Sequence, residues 1–174
     1  NFFNWLKKNT KSILEKKSKE LTYAIKKSCE IKTYFVKQDE KEANLRMILN
    51  FGHTFAHAIE VKDNYSSKNS HGEAVLTGMI LAIKLSILKK NCKENVLNEV
   101  KNLYFNNNLD YTLKNILNSN WLLSLIPYLK QDKKNDSDKI NFLLLKKIGK
   151  TDLPNKFKFS TNQLKKYFKI ISQY

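Results

Sequence analysis

The sequence predicts a mainly α-helical single domain with a small β element near residues 140–159. Three observations carry this. The 174 residues suffice to bury one substantial core, but not two. Apolar residues recur three and four apart through most of the chain, the period of an amphipathic helix. The one convincing strand candidate, Ile140-Asn141-Phe142-Leu143-Leu144-Leu145, comes late and is ended by Gly149.

Residues 2–35 read as helix through Phe3, Leu6, Ile13, Leu14, Leu21, Ala24 and Ile25, with a break near Asn9-Thr10 and Thr10 as N-cap. From Asp39 to about Glu60 the pattern is helical again, through Ala43, Met47, Ile48, Phe51, Phe55, Ala58 and Ile59. Gly52 inside it costs about 1 kcal/mol relative to alanine, so a close approach by backbone or ligand is expected there. Residues 62–70 are a polar loop. Ser70 and His71-Gly72-Glu73 then open an apolar helix running through Val75, Met79, Ile80, Ile83 and Ile87. Further helices are predicted at about 93–107, 111–118 and 120–130, with a kink at Pro127. Asp132 to Asp138 is a charged loop before the strand. Ser160-Thr161-Asn162-Gln163 matches a capping box opening a last helix with Leu164, Tyr167, Phe168 and Ile171.

The net charge of +16 and a pI near 9.7 invite a nucleic-acid partner. The composition argues otherwise. Arg46 is the one arginine among 32 basic residues, and asparagine is abundant. Nucleic-acid readers favour arginine for bidentate contacts, so a solvated lysine coat is the better reading. No run of eighteen apolar residues occurs, which argues against a membrane span. The first residues lack the order of a signal peptide, and Asn1 in place of methionine points to sequence upstream. Two distant cysteines, Cys29 and Cys92, suit neither a metal knuckle nor a disulfide framework, so a reducing, cytoplasmic setting is expected.

The exceptions to this lysine-rich background are informative. Arg46 marks a place where a planar guanidinium is needed. His53, His57 and His71, all the histidines, fall within nineteen residues, with Gly52, Gly72 and Gly78 in or beside them. His53 and His57, four apart, share one helix face, and His71 opens the next helix after a loop able to turn back toward it. Three such imidazoles could bind a divalent cation such as Zn²⁺. The segment His53-Thr54-Phe55-Ala56-His57 lacks the glutamate of a zinc-protease helix. Upstream, Glu42, Arg46 and Asn50 continue the spacing, giving a stripe 42, 46, 50, 53, 57, 60. Such a face is costly to bury unless its members pair or meet a polar ligand. The plain alternative is a surface ion pair between Glu42 and Arg46. The functional reading is a site for an anionic, oxygen-rich substrate gripped by Arg46.

The run Arg46 to Glu60, with His71-Gly72-Glu73-Ala74-Val75 and Gly78-Met79, closely resembles 3-dehydroquinate synthase. Cys29-Glu30-Ile31-Lys32, Asp39-Glu40-Lys41-Glu42 and Asp132-Lys133-Lys134 sit at that family's spacing, so the resemblance spans nearly the whole chain. It implies that residues 1–174 are a C-terminal helical metal and substrate domain. The fold would combine it with an N-terminal NAD-binding α/β domain absent from this chain. The activity implied is conversion of 3-deoxy-D-arabino-heptulosonate 7-phosphate to 3-dehydroquinate and phosphate, in the shikimate pathway. The implied cofactors are NAD and Zn²⁺ or Co²⁺, and a homodimer is the family expectation.

Residue by residue, the resemblance makes His53 and His71 metal ligands, and His57 a proton-handling group rather than a third ligand. Glu42 resembles an acid–base or orienting carboxylate. Lys32, Arg46, Asn50 and one of Lys133 and Lys134 resemble substrate contacts. The family's third ligand, a glutamate, would lie upstream of Asn1. The 174 residues alone are therefore expected to hold metal weakly, bind no NAD and be inactive. The rivals are another sugar-phosphate cyclase, a metal-dependent polyol dehydrogenase and, most remotely, a basic helical nucleic-acid module.

Overall fold

The computed structural model describes residues 2–65, 70–130 and 139–173. Among them are eight α-helices and four short strands. Helices α1 (Phe2–Leu14) and α2 (Ser18–Gln38) form a hairpin. The chain turns at Glu15-Lys16-Lys17, with Lys16 left-handed at φ 57°, rather than at Asn9-Thr10. The reason is local: Asn9 Nδ2 and Thr10 Oγ1 donate back to the carbonyls of Trp5 and Leu6, both at 2.8 Å. A side chain that bonds to the preceding turn continues a helix instead of capping a new one.

The single helix expected over 39–60 is not formed. Asp39 closes α2, and its carboxylate accepts the backbone N–H groups of Ala43, Asn44 and Arg46 at 2.8–2.9 Å. A carboxylate that satisfies three N–H groups makes a loop competitive with helix over these residues. A 3₁₀ segment follows (Leu45–Asn50), and Gly52 at φ +85° reverses the chain into α3 (His53–Lys62). Helix α4 (His71–Leu88) opens at Ser70 as expected, through a capping box: Glu73 N–H donates to Ser70 Oγ and Ser70 N–H to Glu73 Oε2.

Helix α4 is the axis of the domain. It packs most extensively on α3, and also meets α5 (Glu94–Phe105) and α8 (Thr161–Ile171). By length and composition alone α4 is apolar enough to cross a membrane, so the lack of an uninterrupted apolar run does not dispose of a span. Its apolarity is accounted for by the elements around it: Ile80, Leu81 and Leu85 are fully buried. The α3–α4 crossing is close because both partners are glycines. A Cβ on Gly52 would lie 2.8 Å from the Met79 nitrogen, and one on Gly78 would overlap the Gly52 carbonyl.

Beyond α5, the helix expected at 111–118 is a 3₁₀ turn, Asp110–Leu113. The helix expected at 120–130 divides at Leu125 into α6 (Ser119–Ser124) and α7 (Ile126–Lys130). Pro127, the second residue of α7, has no N–H to extend the helix before it. The expected strand is also two. Strand β1 (Lys139–Phe142) pairs antiparallel with β4 (Phe157–Ser160), while β2 (Leu145–Lys147) pairs with β3 (Lys150–Thr151) across Gly149 at φ +78°. Strand alternation holds for the buried Ile140 and Phe142 and then fails, because Leu144 and Leu145 are consecutive and both buried.

Phe55 of α3 meets Phe142 of β1 at 5.0 Å and Phe168 of α8 at 6.0 Å between ring centroids. These three fully buried rings hold α3 from behind. Burying each is worth about 2–3 kcal/mol.

Lys84, in the C-terminal half of α4, is 2 % exposed and donates to the Ile171 carbonyl at 2.9 Å. Burial, with the nearby charge of Lys101, lowers its pKa to about 8. The unfolded chain holds this proton to about pH 10.4. Below pH 8 both states are protonated and the folded state bears the full cost of the buried charge. Between about 8 and 10 the folded state loses the proton first, so stability rises with pH. Urea denaturation should show a gain of about 2 kcal/mol from this group between pH 7 and 9.5. In Lys84→Met that increment should vanish.

Candidate functional site

Five predicted site residues gather at one cleft. It has a volume of about 420 Å³ and is lined by Lys32 from α2, by Glu42, Arg46 and Asn50, and by His53 at the start of α3. Ile31 and Leu49 provide apolar wall. The stripe read as one helix face is therefore assembled from three backbone pieces, loop, 3₁₀ segment and helix, and α2 adds Lys32 to it.

Glu42 organises the loop portion. It sits in the left-handed region at φ 54°, a conformation that costs a non-glycine residue about 1–3 kcal/mol. Asn50 Nδ2 donates to its Oε1 at 2.6 Å, and Arg46 Nε lies 3.7 Å from its Oε2. The Arg46 guanidinium also donates from Nη1 to the Glu40 carbonyl at 2.7 Å, which orients its plane. Asp39 underlies this arrangement, and the N–H groups of Arg46, Asn44 and Ala43 hold its pKa below the usual carboxylate range. Its anchoring role was not read from the sequence; an aspartate four to seven residues ahead of the Arg46 turn was the available signal.

The three histidines converge as the sequence predicted. Ring centroids are 5.7 Å apart for His53 and His57, 5.5 Å for His53 and His71, and 6.5 Å for His57 and His71. His53 is half-buried, whereas His57 and His71 are exposed. Burial lowers the pKa of His53. The Phe51 carbonyl opposes that shift, and the His57 and His71 rings add to it. Even so, His53 Nδ1 is buried without a hydrogen bond of good geometry among the described residues. His71 Nδ1 lies 2.9 Å from Glu60 Oε1.

A neutral, partly desolvated imidazole facing a second imidazole fits two ligands of a borderline divalent cation. Among the described residues, no group of three or more His, Cys, Asp or Glu side chains is arranged to hold a metal. The described residues thus offer two candidate ligands, His53 and His71. Lys133 and Lys134 lie outside the described residues. Cys29 is exposed and Cys92 buried, both as free thiols.

The family described as 3-dehydroquinate synthase C-terminal matches residues 1–135. Among curated relatives, the 3-dehydroquinate synthase of Pelagibacter ubique is 41% identical over 148 residues, covering 85% of this chain and 40% of its own. That of Dictyoglomus thermophilum is 43% identical over 152 residues, covering 87% and 41%. That of Endomicrobium trichonymphae is 46% identical over 133 residues, covering 76% and 35%. The chain spans about two fifths of the length of these relatives. A solved structure of 2-deoxy-scyllo-inosose synthase, complexed with carbaglucose-6-phosphate, NAD⁺ and Co²⁺, superposes with a TM-score of 0.59 at 25% identity. The superposition covers 74% of this chain and 35% of that one. With this match over most of its length and this helical architecture, the chain belongs to the 3-dehydroquinate synthase C-terminal family.

Proposed function

We propose that residues 1–174 are the C-terminal helical domain of a 3-dehydroquinate synthase, a cytoplasmic, cyclising phosphate lyase of the shikimate pathway. Its substrate would be 3-deoxy-D-arabino-heptulosonate 7-phosphate, and its products 3-dehydroquinate and phosphate. The observation that carries this reading is the single cleft joining Lys32, Arg46, Asn50 and Glu42 to His53, in a chain of this family. NAD, held by a separate N-terminal domain, would take up and return hydride, and Zn²⁺ or Co²⁺ on His53 and His71 would polarise substrate oxygens.

The chain's own residues bind and orient. Arg46, its guanidinium fixed by the Glu40 carbonyl and the Glu42 carboxylate, presents a planar cation to an acidic sugar, and Lys32 adds a second positive charge across the cleft. Both Glu42 oxygens face partners, Asn50 and Arg46, which favours an orienting over a proton-transferring role. His57, exposed beside His53 and His71, would move protons between substrate and solvent. By the family resemblance, one lysine of Lys133-Lys134 would add a further substrate contact. The partner is thus a small anionic sugar phosphate, with a homodimer as the assembly. Lysine-rich charge with a single arginine gives no reason to add nucleic acid, and the burial of α4 gives none to add a membrane.

The reading is tested with the full-length protein, NAD and Zn²⁺ or Co²⁺, by following phosphate release from the heptulosonate phosphate. Faster turnover of sedoheptulose 7-phosphate or glucose 6-phosphate would move the assignment to another sugar-phosphate cyclase, as the inosose synthase likeness would suggest. Net NADH release from an uncharged polyol would move it to a dehydrogenase. Arg46→Lys should raise KM about 10- to 100-fold, because an ammonium loses the two-pronged grip and the contact to the Glu40 carbonyl.

A further inference from the structure

We infer that Glu60 is a positioning residue for His71, holding that ring in one tautomer and one orientation. The inference rests on the proposed role of His71 as a metal ligand. His71 is the first residue of α4, its side chain is 58% exposed, and its neighbour Gly72 has no atoms within 4 Å of where a Cβ would stand. Packing alone therefore does little to fix the imidazole. Glu60 is different: its side chain is 15% exposed, and it sits on the last turns of α3 beside the buried Ala58 and Ile59. Its Oε1 meets His71 Nδ1 at 2.9 Å, across eleven residues of chain.

A carboxylate can only accept, so the proton of a neutral His71 ring is drawn to Nδ1 and the Nε2 lone pair is left for a cation. The contact transfers the rigidity of α3, which also carries His53, to a ring at the exposed start of α4. Both imidazoles are then referenced to one helix. A carboxylate behind a ligating histidine also raises its basicity, and losing such a partner weakens metal binding by about 10- to 100-fold.

The test is a Co²⁺ titration of the metal-free full-length protein, followed by visible absorption and chelator competition. Glu60→Gln should weaken Co²⁺ binding about 10- to 100-fold and shift the ligand-field bands, while metal-free melting stays as in the parent protein. Glu60→Asp keeps the charge but falls a methylene short, so it should also bind more weakly; it carries the test if Glu60→Gln fails to fold. Unchanged affinity and bands in both variants, with metal lost in His71→Ala, would overturn the inference and leave the metal site standing. Parental affinity in His71→Ala would remove the metal reading itself, and this inference with it.

Discussion

In the full-length protein, His53→Ala and His71→Ala should each strip the divalent metal, weakening its binding by more than about 100-fold, and abolish turnover. His57→Ala should keep the metal and lose roughly 10²- to 10⁴-fold in kcat, the usual contribution of a positioned general acid–base group. The three rings form a near-equilateral cluster, with centroids 5.5–6.5 Å apart, so distance alone does not separate ligand from proton carrier. Their surroundings differ. His53 is half-buried, with Nδ1 unbonded among the described residues, and His71, exposed like His57, has the Glu60 carboxylate behind it. Metal content by elemental analysis, beside steady-state turnover, checks the prediction. Equal metal loss in all three variants would make the site a three-histidine one.

Gly78→Ala should be the most damaging single methyl in the domain. Alanine is better than glycine in a helix by about 1 kcal/mol, so the substitution would stabilise α4 if nothing stood nearby. Its Cβ, however, would overlap the Gly52 carbonyl and stand 3.1 Å from the Ala56 nitrogen. These are backbone atoms that no rotamer change can move. Forcing the helices apart should cost about 2–3 kcal/mol net of the propensity gain. It should also shift His53 relative to His71, and a displacement near 1 Å can cost about 100-fold in rate. Gly72→Ala is the control: with nothing within 4 Å, it should be neutral or stabilising by up to about 1 kcal/mol. Urea denaturation of both variants, with turnover in the full-length protein, separates packing from propensity.

Much of the architecture was legible because its signals are local. The capping box at Ser160 formed as read and Ser70 opened α4 as expected, since each box needs only a hydroxyl and a carboxylate or amide three residues on. His53 and His57 share a face because four residues make about one helical turn. The helix breaks were harder. Asn9 and Thr10 look like a boundary until their side chains bond backward, and Pro127 marks a division whose position depends on Leu125.

The chemistry proposed for residues 32–71 was read from residue types, a lone arginine, all three histidines and a carboxylate, together with the family resemblance. Tertiary structure decided how they meet. The Glu42–Arg46–Asn50 portion is not helical, because Asp39 captures three N–H groups and Gly52 turns left-handed beneath α4. Periodicity reports which side chains would align if a helix formed; it does not weigh that helix against a loop stabilised by one carboxylate. Nor can it show that Gly52 and Gly78, or Glu60 and His71, are partners. Those pairings arise only when α3 and α4 are pressed together by the buried rings behind them.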